Sequence, residues 1–190
     1  MSGCKLAQNL GSKTCQYAVA GARALYLANY HGATVGADAV ENAIAYQTDK
    51  DGYIDKITLP TGEKFYRVDS SENTISYSDT LLVGGNGSKY RQHTVNAVLN
   101  QLDIDVLNQG DALSLGRFVA VVVDNAGRVR LLGRTSGLSA PAGGFDYNSG
   151  AAEADATGWT VILQGTSMEI APLLKDESVV TVAPTETVVT

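Results

Sequence analysis

The sequence predicts a mainly β fold: a β-sandwich or barrel with one short flanking α-helix and long loops. Three observations carry this expectation. The 190 residues include 20 glycines together with many Ser, Thr and Asn, which suits short strands and turns better than long helices. Residues 117–133 set an apolar run, Phe118–Val123, before the turn Asp124-Asn125-Ala126-Gly127 and a return run Arg128–Leu132, the pattern of a β-hairpin. Near the end, Trp159–Gln164 (WTVILQ) reads as a second strong strand. The length suits one domain with appendages, and a hydrophobic content of 44% is enough for a core. The expected organisation is an N-terminal arm over 1–16, a domain over 17–175 with an extended loop or hairpin at about 31–68, and a flexible C-terminal tail over 176–190.

The remaining elements follow from alternation and turn chemistry. In Ala22–Tyr30, Ala22, Ala24, Tyr26, Ala28 and Tyr30 share one parity, and flanking glycines favour a strand over a helix. Residues 31–42 are rich in Gly and Ala and read as a loop. Residues 43–68 read as two strands around the turn signals Asp51-Gly52 and Pro60-Thr61-Gly62, with Lys64–Val68 a short strand. Asn73–Leu82 alternates in part, and Gly84–Ser88 is a flexible loop. Tyr90–Leu102 places Val95, Ala97 and Leu99 on one face and Asn96 and Asn100 on the other. Asp103 is placed to cap a short helix whose length Gly110 and Gly116 limit. Residues 136–158 are rich in Gly, Ala and Ser and read as a long surface loop, after which Thr166–Pro172 extends or turns the last strand.

Charge narrows the function classes. The net charge is −6, and the basic residues are scattered. Gripping nucleic acid needs clustered Lys and Arg. The densest group, Arg128, Arg130 and Arg134, alternates along a strand and reads as a solvated face. Charged residues make up only 18%, which points to surface buried against partners. Cys4 and Cys15 either pair to staple the N-terminus or stand as two free thiols in a reducing compartment. No run approaches the ~20 apolar residues of a membrane span. Met1–Cys4 lacks the charged and apolar regions that precede a lipoprotein cleavage site, so synthesis in the cytoplasm is expected.

A search for chemistry returns no catalytic, cofactor-binding or metal-binding residue. His31 and His93 have no partner at a ligand-like spacing, and both read as surface or core-edge histidines. Asp49-Lys50-Asp51-Gly52 with Asp55 resembles a calcium loop, but Gly52 comes too early and Pro60 stands where a closing Glu is needed, so a hairpin turn is expected. In Gly84–Lys89, Ser88 separates Gly87 from Lys89, which breaks the phosphate-loop pattern. Asp103 and Asp105 lie too close along one segment for an acid–base pair. The expectation is a protein that is not an enzyme, holds no cofactor and assembles with copies of itself.

The order of elements resembles a known family. Asp124, Gly127, Leu132 and Gly133 in the hairpin are followed by a Gly/Ala-rich segment, then by Asp155, Gly158, Trp159, Leu163, Gly165, Glu169, Ala171 and Pro172. This series is similar to tail-tube structural proteins of tailed bacteriophages and prophages. The resemblance is sharpest over residues 117–174. It implies a virion tail subunit that self-assembles into rings, commonly hexameric, by joining sheets across subunits. Rings would stack into a tube beside other virion tail proteins, with an acidic lumen that lets DNA pass without specific binding. Residues 44–68 would be the inter-ring hairpin, and the arm and tail would clamp neighbours by strand addition. Other virion components (a head–tail connector, a tail terminator, a capsid decoration protein) and a β-sandwich surface adhesin are the alternatives.

Overall fold

The computed structural model describes residues 20–35, 43–68, 70, 74–99, 104–149 and 158–181. The strands are β1 (Ala22–Asn29), β2 (Ala33–Val35), β3 (Ile44–Thr48), β4 (Ile54–Thr58), β5 (Tyr66–Val68), β6 (Ser76–Val83) and β7 (Lys89–Leu99). The helix α1 (Ile104–Leu115) follows, then β8 (Phe118–Asp124), β9 (Val129–Leu132), β10 (Phe145–Asn148), β11 (Gly158–Ser167) and β12 (Leu173–Leu174). They form an eight-stranded sheet in the order β2-β3-β4-β12-β9-β8-β1-β5 and a four-stranded sheet in the order β10-β11-β7-β6. The fold is mainly β with one helix, as the composition predicts. The arm 1–16 with Cys4 and Cys15, the capping position Asp103, and residues 182–190 of the tail lie outside the described residues.

Strand β8 is the centre of the molecule. All seven of its residues are buried, which explains the unbroken run FVAVVV where a strand with one wet face would alternate. Ala120 and Val122 point into a core shared with Val95, Ala97, Leu99, Val161 and Leu163 of the four-stranded sheet. Val119, Val121 and Val123 point into a second core shared with Ile44, Tyr46, Ile54 and Ile57 of β3 and β4. In sheet order β3 lies four places from β8, so the larger sheet curls at the short strand β12 and brings the β3–β4 hairpin over the back of β8.

This curl changes the reading of residues 31–68. The expected loop over 31–42 contains β2, which pairs in parallel with β3. The hairpin β3–β4 forms around the Asp49–Tyr53 turn, and Gly52 takes the left-handed conformation (φ 87°) that the turn requires. Its inward side chains fill this protomer's own core, because Ile44, Tyr46 and Ile54 are fully buried there. A third strand, β5, pairs with β1 at the far edge of the same sheet.

Four further expectations are corrected. Helix α1 ends at Leu115, before Gly116 as expected, but runs through Gly110. Gly110 lies beneath Phe145, and an added Cβ would come 3.1 Å from that ring, so the glycine serves a close approach. Residues 136–158 are not simply a surface loop. Leu138 is fully buried, Ser139 bridges to Gln164, and β10 pairs along β11. The tail begins docked: Glu177 accepts hydrogen bonds from Tyr26 Oη and Arg23, each 2.6 Å, Val180 is buried, and Phe65 N–H donates to Thr181 O. The arginine group is solvated at Arg128, whose side chain is 61% exposed, and engaged at Arg130 and Arg134. Arg128 pairs with Asp124, Arg130 donates to Ala171 O, and Arg134 forms a two-pronged pair with Glu169.

Gly165 is the tightest point between the β11 strand and the 137–139 segment, where an added Cβ would lie 2.2 Å from Gly137 O. Gly165→Ala must push apart backbone that holds Leu138 in the core. A loss of about 1–3 kcal/mol in unfolding free energy is expected, read from the urea midpoint; an unchanged midpoint would contradict this packing.

Candidate functional site

A cluster of titratable groups with perturbed environments sits where the four-stranded sheet meets the 167–172 corner. His93, on the inward face of β7, is 1% exposed. Its Nδ1 accepts from Gly133 N–H at 3.4 Å, and its Nε2 lies 3.2 Å from Glu169 O. A ring nitrogen that accepts from a backbone N–H carries no proton, so Nε2–H is the donor to Glu169 O and the ring is neutral. Burial is the largest influence and holds the His93 pKa below its ordinary 6.5, against the opposing pull of Asp79 and Glu169.

Asp79, directly across from His93 on β6, joins the same cluster. It accepts from Arg91 Nε at 2.5 Å and from Ala171 N–H at 2.9 Å. Burial opposes its charge, but these bonds, with His93 and Arg91 close by, hold its pKa below the ordinary value. Arg134, Glu169, Thr135 and Ser167 complete the network. Each member is hydrogen-bonded within the network. The cluster ties the β6–β7 hairpin, the corner after β9 and the corner after β11 to one another. His31 is unrelated to it: its half-buried ring places Nε2 3.1 Å from Glu63. Among the described residues no group of His, Cys, Asp or Glu is arranged to hold a metal ion, and Asp49 Oδ1 instead accepts from the N–H groups of Asp51 and Tyr53 to close its turn.

A different kind of site lies at the margins of the four-stranded sheet. Its two outer strands, β6 and β10, have no partner strand on their far sides among the described residues. β6 is eight residues long, SYSDTLLV, without the Lys, Pro or bulge that usually blunts an edge, and its single acid, Asp79, is turned inward to Arg91 and Ala171. The β6–β7 hairpin also overhangs the core. Leu81 and Val83 share the inward face with Asp79 yet are 51% and 62% exposed. Met168 (86%) and Ile170 (64%), on the corner that bonds to Asp79, are exposed at the same end.

The sheet's outward face has a distinct composition. Cross-strand partners share a face, so its rows read Ser76–Asn96–Ile162, Ser78–Thr94–Gln164 and Thr80–Gln92–Thr166, continued by Val98–Thr160–Asp146 at one end and Leu82–Tyr90 at the other. Hydroxyls and amides dominate, and no Lys or Arg stands in these rows. The sequence marked Asn96 as outward but missed the open edges, because pairing partners are a property of sheet order and not of any local pattern.

No protein-family model, curated protein or solved structure matches the chain.

The buried histidine gives the cluster a pH signature. The folded state resists a proton that the unfolded chain accepts near pH 6.5, so stability falls as pH drops through that value. Urea midpoints should be lower at about pH 5.5 than at about pH 7.5. In His93→Gln, whose amide can both accept from Gly133 N–H and donate to Glu169 O, that drop should shrink. An identical drop in the variant would show that another group titrates.

Proposed function

We propose that this chain is a structural subunit of a bacteriophage or prophage tail tube, which joins copies of itself into stacked rings around a DNA conduit. The observation that carries the reading is the pair of open edges on the four-stranded sheet. Its strands alternate in direction, and their number is even, so β6 and β10 run oppositely. A copy related by rotation can therefore set its β10 against β6 and continue the antiparallel pattern, and repetition of that single contact closes a ring. A sheet with an odd number of alternating strands would present like-directed edges and could not repeat in this way.

Three other features support it. Leu81, Val83, Met168 and Ile170 are exposed at the end of the overhanging hairpin, where a neighbour would cover them. The polar cluster at His93 is built to hold that hairpin rigid, and pre-organisation lowers the cost of association. The low charge content suits a chain with much of its surface against partners. Within the segment suggested for ring-to-ring contact, Lys50–Tyr53 at the tip of the β3–β4 hairpin are exposed, as are Thr61, Gly62, Lys64, Tyr66 and Arg67. The clamping role suggested for the tail is confined to residues beyond 181, since 176–181 dock on their own protomer.

The test is the double variant Leu81→Lys/Val83→Lys. Both side chains are exposed in the protomer, so stability should stay within about 0.5 kcal/mol of the parent. Light scattering should show ring- or tube-sized particles for the parent and single protomers for the variant. Assembly of the variant to the same size would exclude this edge as the joint. A connector, terminator or decoration protein would give particles of fixed size that do not grow into tubes, and a parent that stays monomeric at high concentration would favour an adhesin.

A further inference from the structure

Two exposed stripes stand at opposite edges of the four-stranded sheet, on the same side of it. At the β6 edge, Leu81 and Val83 lie on the inward face, and cross-strand pairing sets Lys89 beside Val83 on that face. At the β10 edge, helix α1 packs on the inward side: Gly110 lies against the ring of Phe145, and Val106 and Leu113 pack on the core. Leu107, Asp111 and Leu115 recur every fourth residue, so they form one stripe of the helix, and all three are exposed. One edge thus carries two apolar side chains flanked by an ammonium, and the other carries two leucines around a carboxylate. Neither Lys89 nor Asp111 forms an ion pair among the described residues.

We infer, on the tube reading above, that α1 is the cover for the neighbour's overhanging hairpin: the Leu107–Asp111–Leu115 stripe of one copy packs on Leu81 and Val83 of the next, with Asp111 paired to Lys89. A strand added outside β10 lies beside α1, and its inward-facing side chains enter the layer that α1 occupies. The register of the joint follows. Within one protomer Leu81 is level with Arg91 of β7, and Phe145, through Val161, is level with Ala97. Arg91 and Ala97 stand six residues apart on β7, so Leu81 reaches Phe145 of the next copy only if successive copies are displaced by six residues along the strands. An even displacement keeps inward side chains on the inward face. Six residues rise about 20 Å and four strands span about 19 Å, which tilts the strands by about 45°, at the upper end of the range that closed barrels adopt. The stagger that covers the hairpin is therefore the stagger that closure requires, whatever the number of copies.

The experiment uses the full chain and reads, by light scattering, the concentration at which tubes form. Asp111→Lys and Lys89→Glu each set like charges across the seam, and each should raise that concentration about tenfold or more. The double variant Asp111→Lys/Lys89→Glu restores an opposite pair and should return close to the parent. Both positions are exposed, so the urea midpoints of all three variants should match the parent's. A second readout is covalent. In tubes of a Cys4→Ser/Cys15→Ser chain carrying Asp111→Cys and Lys89→Cys, mild oxidation should give a ladder of linked copies that is absent when either new cysteine is omitted. Single charge variants that assemble like the parent, a double variant that does not recover, or a cysteine pair that stays unlinked in tubes would each overturn the seam while leaving the tube reading standing. A parent that forms no tubes would overturn both.

Discussion

Burial of β8 on both faces is the constraint on which the rest of the structure depends. A strand that must be dry on two sides needs two separate coverings, and the chain supplies them from distant segments. The four-stranded sheet covers one side through Val95, Ala97, Val161 and Leu163. The β3–β4 hairpin covers the other through Ile44, Tyr46 and Ile54. The curl at β12 exists because one sheet has to reach both sides of its own central strand. The docking of Val180 and Thr181 against the Phe65 region closes the same second core from the other end.

That division of labour leaves the four-stranded sheet half-employed. Its inward face is fixed to β8, while its outer strands β6 and β10 have no further partner strand among the described residues. The His93 cluster matters here because it secures the one part of the sheet that projects past the core. A neutral imidazole, a carboxylate between Arg91 and Ala171 N–H, and the Arg134–Glu169 pair join three chain segments that local hydrogen bonding alone would not connect. Partly satisfied buried polar groups would loosen this end, whereas a closed network stiffens it. A stiff projecting edge is what repeated antiparallel joining requires.

Much of the fold was legible in the sequence where the signal is local. The β8–β9 hairpin, β1, β7 and β11 all follow from alternation, apolar runs and turn residues, and they stand within a residue or three of where those signals put them. What failed was non-local. Gly110 looks like a helix stop until Phe145 is seen beside it. Residues 136–149 look like surface because their composition is small and polar, yet a single buried Leu138 and the pairing of β10 decide their place. Arg130 and Arg134 look solvated because their partners, Ala171 and Glu169, lie about forty residues away. Both histidines carried too little local context to separate a half-buried ring beside Glu63 at His31 from a buried structural ring at His93. The open edges of β6 and β10 left no trace in the sequence at all, since only the completed sheet order reveals them.

The central claim is that these two edges meet. Electron cryo-microscopy of the purified full chain at high concentration tests it most directly. The account predicts rings or tubes of uniform width in which β6 of each copy lies antiparallel to β10 of the next. Assemblies joined through any other surface, or a protein that remains monomeric, would contradict it.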